Sequence, residues 1–115
     1  MGIIHRDIKP ENILLDALRG NVRIADFNAA LLATPGRALA DGDVYARDAV
    51  GSAPYVAWEV ERRAWYGKAV DWWALGCLAF DMLAGTRAVG ASFAFLGGFV
   101  CGVWAGLTGV RAGPL

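Results

Sequence analysis

Apolar positions along this chain gather into three patterned stretches before residue 86. The run Ile13-Leu14-Leu15 predicts a short buried strand, and Val22, Ile24 and their neighbours predict a second. Gly20-Asn21 lies in the segment Asp16–Asn21 between them and is a turn signal, so the two strands are expected to pair as a hairpin. Residues 33–54 are rich in Ala, Gly, Asp and Pro and carry little periodicity. They predict a long surface loop, and loops beyond about 12–15 residues are usually functional or disordered. Asp71 then leads Trp72, Trp73, Leu75, Leu78, Phe80, Met82 and Leu83, with Gly85 after them. An Asp at the N-cap, about three apolar turns and a closing Gly predict a helix. Its apolar residues cover every face, so the expectation is a wholly buried helix with Trp72 and Trp73 in the core.

Charge divides the chain in two. Residues 1–87 hold 10 basic and 11 acidic side chains, whereas residues 88–115 hold only Arg111. Ala88–Val110 is a stretch of 23 uncharged residues, and 7 of the 15 glycines fall in the last 28 positions. The net charge of zero gives no electrostatic case for nucleic acid or an anionic membrane surface. Cys77 and Cys101 are too few for a disulfide scaffold and lack metal-ligand spacing, which points to a reducing, cytoplasmic setting. The first residues do not read as a signal peptide, because His5, Arg6 and Asp7 follow at once. Arg6 likewise stands where myristoylation wants Ser or Thr.

The uncharged tail has three readings. Its length exceeds the roughly 18–20 apolar residues that span a bilayer. Gly98, Gly102 and Gly106 would line one face of such a helix. Six glycines among those 23 positions weaken any helix, however, and Arg87 and Arg111 alone at the flanks give no orientation signal. The preferred reading is translated non-coding sequence after a broken exon. A membrane segment comes second and a divergent core helix third.

The chemistry is concentrated in His5-Arg6-Asp7-Ile8-Lys9-Pro10-Glu11-Asn12, which sets a carboxylate, an ammonium group and an amide in one short loop. The predicted hairpin then returns the chain to a second carboxylate in Asp26-Phe27-Asn28. Phosphoryl transfer uses these parts: a carboxylate to orient the attacking hydroxyl, oxygen ligands for Mg²⁺, and a cation against the migrating group. Here the sequence resembles the protein kinases, with Ile8 where Leu is usual in the catalytic loop. Lys9 gives that loop its serine/threonine form. Gly51-Ser52-Ala53-Pro54-Tyr55-Val56-Ala57-Trp58-Glu59 resembles the end of an activation segment. Tyr66-Gly67-Lys68-Ala69-Val70-Asp71-Trp72-Trp73-Ala74-Leu75-Gly76 resembles the start of the central helix of the C-terminal lobe, in wording typical of AGC-type kinases. Asn28 in place of Gly resembles the AGC-like YANK subgroup.

The resemblance implies a set of roles. Asp7 would accept the substrate hydroxyl proton, and Lys9 would contact the γ-phosphate of ATP. Asn12 and Asp26 would hold Mg²⁺. His5, which could otherwise be taken for a general base, would pack with Phe27 in a hydrophobic spine. Ser52 would help place the substrate residue. Asp71 would brace the catalytic loop while also capping its helix. Glu59 would pair with an Arg of a region outside this sequence. Asp48 stands three residues before Gly51, where many relatives carry a phosphorylated Thr; the preferred reading is a solvated loop Asp, and the alternative is that it pairs with Arg6 as a weak phosphate mimic. Two departures stand out: Trp58 replaces the Pro of Ala-Pro-Glu, and one extra residue separates Asn12 from Asp26.

The expected fold is protein-kinase-like (α+β), a partial C-terminal lobe that is mainly α with one β-hairpin and a long activation loop. Residues 1–87 form the partial kinase domain and residues 88–115 the tail. The expected family function is ATP γ-phosphoryl transfer to protein Ser or Thr, with no nucleic-acid partner. The sequence holds no Gly-rich loop, no Val-Ala-Ile-Lys strand and no partner Glu, so the chain alone is expected to be inactive. Two rivals are an inactive fragment that acts by binding and a single-span membrane protein with a kinase remnant.

Overall fold

The computed structural model describes residues 2–34, 36 and 38–85. Strand β1 (Ile3–Ile4) leads into the loop that holds residues 5–9, and Pro10–Asn12 form a single 3-10 turn. Pro10 suits the start of that turn because its missing N–H would have no partner there. Strands β2 (Ile13–Asp16) and β3 (Asn21–Ile24) follow as an antiparallel pair in the register Ile13↔Ile24 and Asp16↔Asn21. The Asp16 carboxylate accepts from the Leu18 and Arg19 N–H groups, and Gly20 takes φ +66°, so the turn closes on the residue types that predicted it.

A second ladder was not foreseen. Strand β4 (Leu31–Leu32) returns to pair with β1, with Ile3 opposite Leu32 and Ile4 opposite Leu31. Two-residue strands carry no readable alternation, and only the tertiary fold pairs them. The described residues of 33–54 then run as the expected long loop, tied down by an isolated bridge between Ala46 and Tyr66. Helix α1 (Trp58–Glu61) and helix α2 (Ala69–Ala84) complete the described part.

Two small apolar clusters join the residue 4–8 segment to α2. One joins Ile8, Tyr55, Ala74 and Cys77; the other joins Ile4, Ala46, Ala57, Val60, Tyr66 and Val70. Trp73 packs against both and links them.

The structure corrects four expectations. Helix α2 is not wholly buried: Val70, Ala74, Cys77 and Leu78 face the core, whereas Trp72, Leu75, Met82 and Leu83 are exposed. Trp72 therefore lies outside the core, unlike Trp73. The hairpin strands are not buried either, since Leu14, Leu15, Val22 and Ile24 all reach solvent. Finally, Asp71 is not the N-cap, because the helix begins at Ala69 and Lys68 occupies the cap position, its side chain making no capping bond. The closing Gly85 does act as expected, in the left-handed conformation with its N–H on the Asp81 carbonyl.

Among the described residues no helix is long and apolar enough to cross a membrane. The three readings of Ala88–Val110 fall outside the described residues.

Candidate active site

Asp71 organises the loop that carries the chemistry. Its two carboxylate oxygens accept from the backbone N–H groups of His5 (2.7 Å) and Arg6 (2.8 Å). Arg6 has φ +67°, a conformation that costs a residue with a Cβ about 1–2 kcal/mol. Hydrogen bonds to a charged acceptor contribute about 1.5–3 kcal/mol each, enough to hold that kink. Because Asp71 sits on the first turn of α2, the loop is anchored to the longest element of the described fold.

The kink directs the loop side chains into separate tasks. His5 is buried; its Nδ1 accepts from the Asp7 N–H, which leaves Nε2–H to donate to the Ala25 carbonyl (3.0 Å). Its ring meets Phe27 edge-on at 4.8 Å between centroids. His5 thus has both nitrogens engaged inside the loop. Asn12, also buried, donates through Nδ2 to the Asp7 carbonyl (2.8 Å) and to Asp7 Oδ2 (3.2 Å).

Asp7, Lys9 and Ser52 close a triangle. The Ser52 hydroxyl donates to Asp7 Oδ1 (2.8 Å), Lys9 Nζ donates to Ser52 Oγ (2.8 Å), and Lys9 Nζ lies 2.9 Å from Asp7 Oδ2. Burial disfavours the Asp7 charge, but the hydrogen bonds from Lys9 and Ser52 outweigh it and hold the carboxyl below its ordinary range. The hydrogen bond to Asp7 in turn raises Lys9, which also feels the charges of Glu11 and Asp26. Asp7 is therefore an ionised acceptor and Lys9 a protonated cation at neutral pH.

Asp26 arrives through the β2–β3 hairpin. The Ala25 N–H donates to the Asn12 carbonyl (2.9 Å), which sets the start of Asp26-Phe27-Asn28 beside the end of the catalytic loop. Asp26 takes φ +60° and accepts from the Asn28 N–H. The β2–β3 ladder pairs one-to-one from Ile13↔Ile24 to Asp16↔Asn21, so the turn of residues 17–20 has to take up the one extra residue between Asn12 and Asp26.

Arg6 turns away from this group. Its Nη1 donates to Asp48 Oδ1 (2.9 Å) and to the Tyr66 hydroxyl (3.0 Å), and its Nε donates to the Ala29 carbonyl. The Tyr66 hydroxyl has Asp48 Oδ1 at 2.9 Å and the Asp48 carbonyl at 3.0 Å as acceptors. The hydrogen bond from Tyr66 lowers Asp48, and Arg6 lowers it further. Burial raises Tyr66, so its proton stays in place. Tyr66 was missed as a functional residue. The one signal available was a Tyr directly before the Gly67-Lys68 pair that opens the helix.

Glu59 Oε2 is buried and has no hydrogen-bond partner among the described residues. The same holds for Trp73 Nε1 and for Asp81 Oδ1, although Asp81 Oδ2 accepts from the Tyr55 hydroxyl (2.7 Å).

The sequence that builds this kinked loop, its clamped carboxylate–ammonium pair and the returning second carboxylate matches known proteins. The profile of the protein kinase domain matches residues 1–92. This chain belongs to the protein kinase family. It is 45% identical over 91 residues to serine/threonine-protein kinase mrck-1 of Caenorhabditis elegans, covering 75% of this chain and 5% of that protein. It is 48% identical over 84 residues to ribosomal protein S6 kinase beta of the same organism, covering 73% and 14%. To serine/threonine-protein kinase PKH3 of Eremothecium gossypii it is 48% identical over 88 residues, covering 75% and 12%. The chain thus spans 5–14% of the length of these relatives.

Proposed function

We propose that this kinase segment supplies the catalytic-loop half of a site that transfers the γ-phosphoryl group of ATP to Ser or Thr of a protein. The Asp7–Lys9–Ser52 triangle carries the reading. In it Asp7, ionised and held by three donors, receives the proton of the attacking hydroxyl. The oxygen forms its bond to the γ-phosphorus as the bond to the leaving ADP oxygen breaks. Lys9 places its charge against the migrating group. Ser52, tied to both, fixes their spacing and borders the position of the incoming residue.

Asn12 and Asp26 would hold Mg²⁺. The described residues contain no cluster of three His, Cys, Asp or Glu side chains fit for a metal. A carboxylate and a carboxamide still suit Mg²⁺, which keeps several waters and takes further oxygens from phosphates. When bound it neutralises phosphate charge. Asp48 acts on Arg6 as a one-charge substitute for a phosphate and holds residues 46–48 against the catalytic loop. Cys77 is buried and its thiol is pushed up to about 11 by that burial, the behaviour of an inert structural thiol. That fits the proposed cytoplasmic setting.

The test is an exchange. Residues 1–87 replace the corresponding segment of ribosomal protein S6 kinase beta, and phosphate incorporation into a Ser/Thr peptide is followed with ATP and Mg²⁺. The hybrid is expected to transfer phosphate to Ser and Thr but not to Tyr, whereas the chain alone is expected to transfer none. A folded hybrid with no transfer defeats the reading.

A further inference from the structure

A turn remote from the catalytic triangle carries an unusual pairing of arginines and tryptophans. Trp58 opens α1, and Trp65 follows the end of the turn that begins there. The Ala64 N–H donates to the Glu59 carbonyl (2.8 Å) and Arg63 takes φ +56°, so residues 58–65 double back on themselves. The Arg62 guanidinium lies 5.3 Å from the centroid of the Trp58 ring. Arg47, brought alongside by the Ala46–Tyr66 bridge, lies 5.7 Å from the centroid of Trp65. Both indoles remain open to solvent, at 49% and 57% exposure.

The charges here are uncommitted. Arg6, Lys9 and Lys68 each hold a carboxylate. Arg47, Arg62 and Arg63 are exposed and make no ion pair among the described residues. Glu61 is the one acidic side chain that this turn exposes. A guanidinium settled on an indole has given up part of its rotamer freedom before a partner arrives, and it keeps its charge.

We propose that this turn is a docking surface for an acidic segment of a partner protein. Carboxylates of the segment would engage Arg47, Arg62 and Arg63, while its apolar side chains would lie on Trp58 and Trp65. Trp and Arg are the residue types that dominate protein–protein hot spots. Three cations, with Glu61 among them and the Arg6-paired Asp48 beside Arg47, fall short of the four to eight basic residues of a polybasic membrane anchor. They also form no continuous basic stripe for nucleic acid, and the chain as a whole is neutral.

The experiment measures fluorescence anisotropy of a labelled peptide of glutamates interrupted by phenylalanine, titrated with the full chain. A lysine version of the peptide, phosphatidylserine vesicles and a single-stranded oligonucleotide are the comparisons. The glutamate peptide is expected to bind and the lysine peptide not to bind. Affinity is expected to fall about tenfold in the Arg62→Gln/Arg63→Gln double variant, and to fall as salt is raised. Trp65→Ala, which alters no charge, is expected to weaken binding several-fold. Equal binding of both peptides, tighter binding of vesicles or oligonucleotide, or unchanged affinity in both variants would overturn the proposal. Since all three substituted side chains are exposed, circular dichroism should show the fold retained in each variant.

Discussion

The catalytic loop and the β2–β3 hairpin are adjacent in the chain and opposite in character. In the loop, His5, Arg6, Asp7, Lys9 and Asn12 have polar groups tied to named partners, and His5, Ile8 and Asn12 are buried. In the hairpin the ladder is regular, yet Leu15 is 75% and Val22 63% exposed. Polar wiring can be completed within a short segment, since each bond needs only two groups in register. Apolar burial needs surfaces packed against the strands, and the described residues leave all of β3 exposed and only Ile13 and Asp16 of β2 partly covered. Stability of this unit should therefore depend steeply on the loop and its anchor, and only weakly on the hairpin's apolar face.

The largest effect on that contrast is expected at Asp71. Asp71→Ala removes two bonds to a charged acceptor and leaves the His5 and Arg6 N–H groups without them. We expect a loss of about 3–6 kcal/mol in urea denaturation, from two bonds of about 1.5–3 kcal/mol each. A loss below about 1 kcal/mol would place the anchor elsewhere.

Gly51→Ala comes next. Gly51 has φ +101°, and an added Cβ would press on the Arg6 carbonyl at 2.7 Å. Strain of about 1–3 kcal/mol is expected, read in the same denaturation experiment. Gly85→Ala is the matched control: it also has positive φ, but nothing lies within 4 Å of the added Cβ. It should cost the smaller amount, about 1 kcal/mol.

Acid should act on Asp48 in a defined window. Its folded carboxyl lies below the ordinary 3.8, so the stabilisation it gives is complete above that value. It is lost as pH falls through the lower folded value. Carbon NMR of the Asp48 carboxyl should therefore show no titration between about pH 5 and pH 8. A midpoint at or above 3.8 would show that Tyr66 and Arg6 do not hold it.

The smallest effect is expected at the hairpin. Leu15→Ser should change stability by no more than about 0.5 kcal/mol, as at other exposed positions. A larger loss would mean that the hairpin face is covered in solution and would remove the contrast.

Much of this was legible in residue types and their order. Gly20-Asn21 marked the hairpin turn, Gly85 the helix end, and the spacing from His5 to Asn12 the loop. The failures share a physical cause. Hydrophobic letters report what a residue prefers, not what is available to cover it, so Leu14, Leu15 and Trp72 were placed inside and are exposed. Asp71 misled for a related reason. A carboxylate near a helix start can cap its own backbone or reach another segment, and local rules see only the first option. Tyr66 was illegible because its partners, Arg6 and Asp48, lie 60 and 18 residues away. The β1–β4 ladder joins strands too short to show any period.

The central claim is that Asp7 receives the proton in phosphoryl transfer, and the active hybrid kinase tests it most directly. Asp7→Asn keeps the size of the side chain and its bond to Ser52 within reach while removing the base. The expected result is a fall in kcat of about 10²–10⁴-fold with KM for ATP little changed, since Asp7 is assigned no contact with the nucleotide. A kcat within about threefold of the unsubstituted hybrid would contradict it.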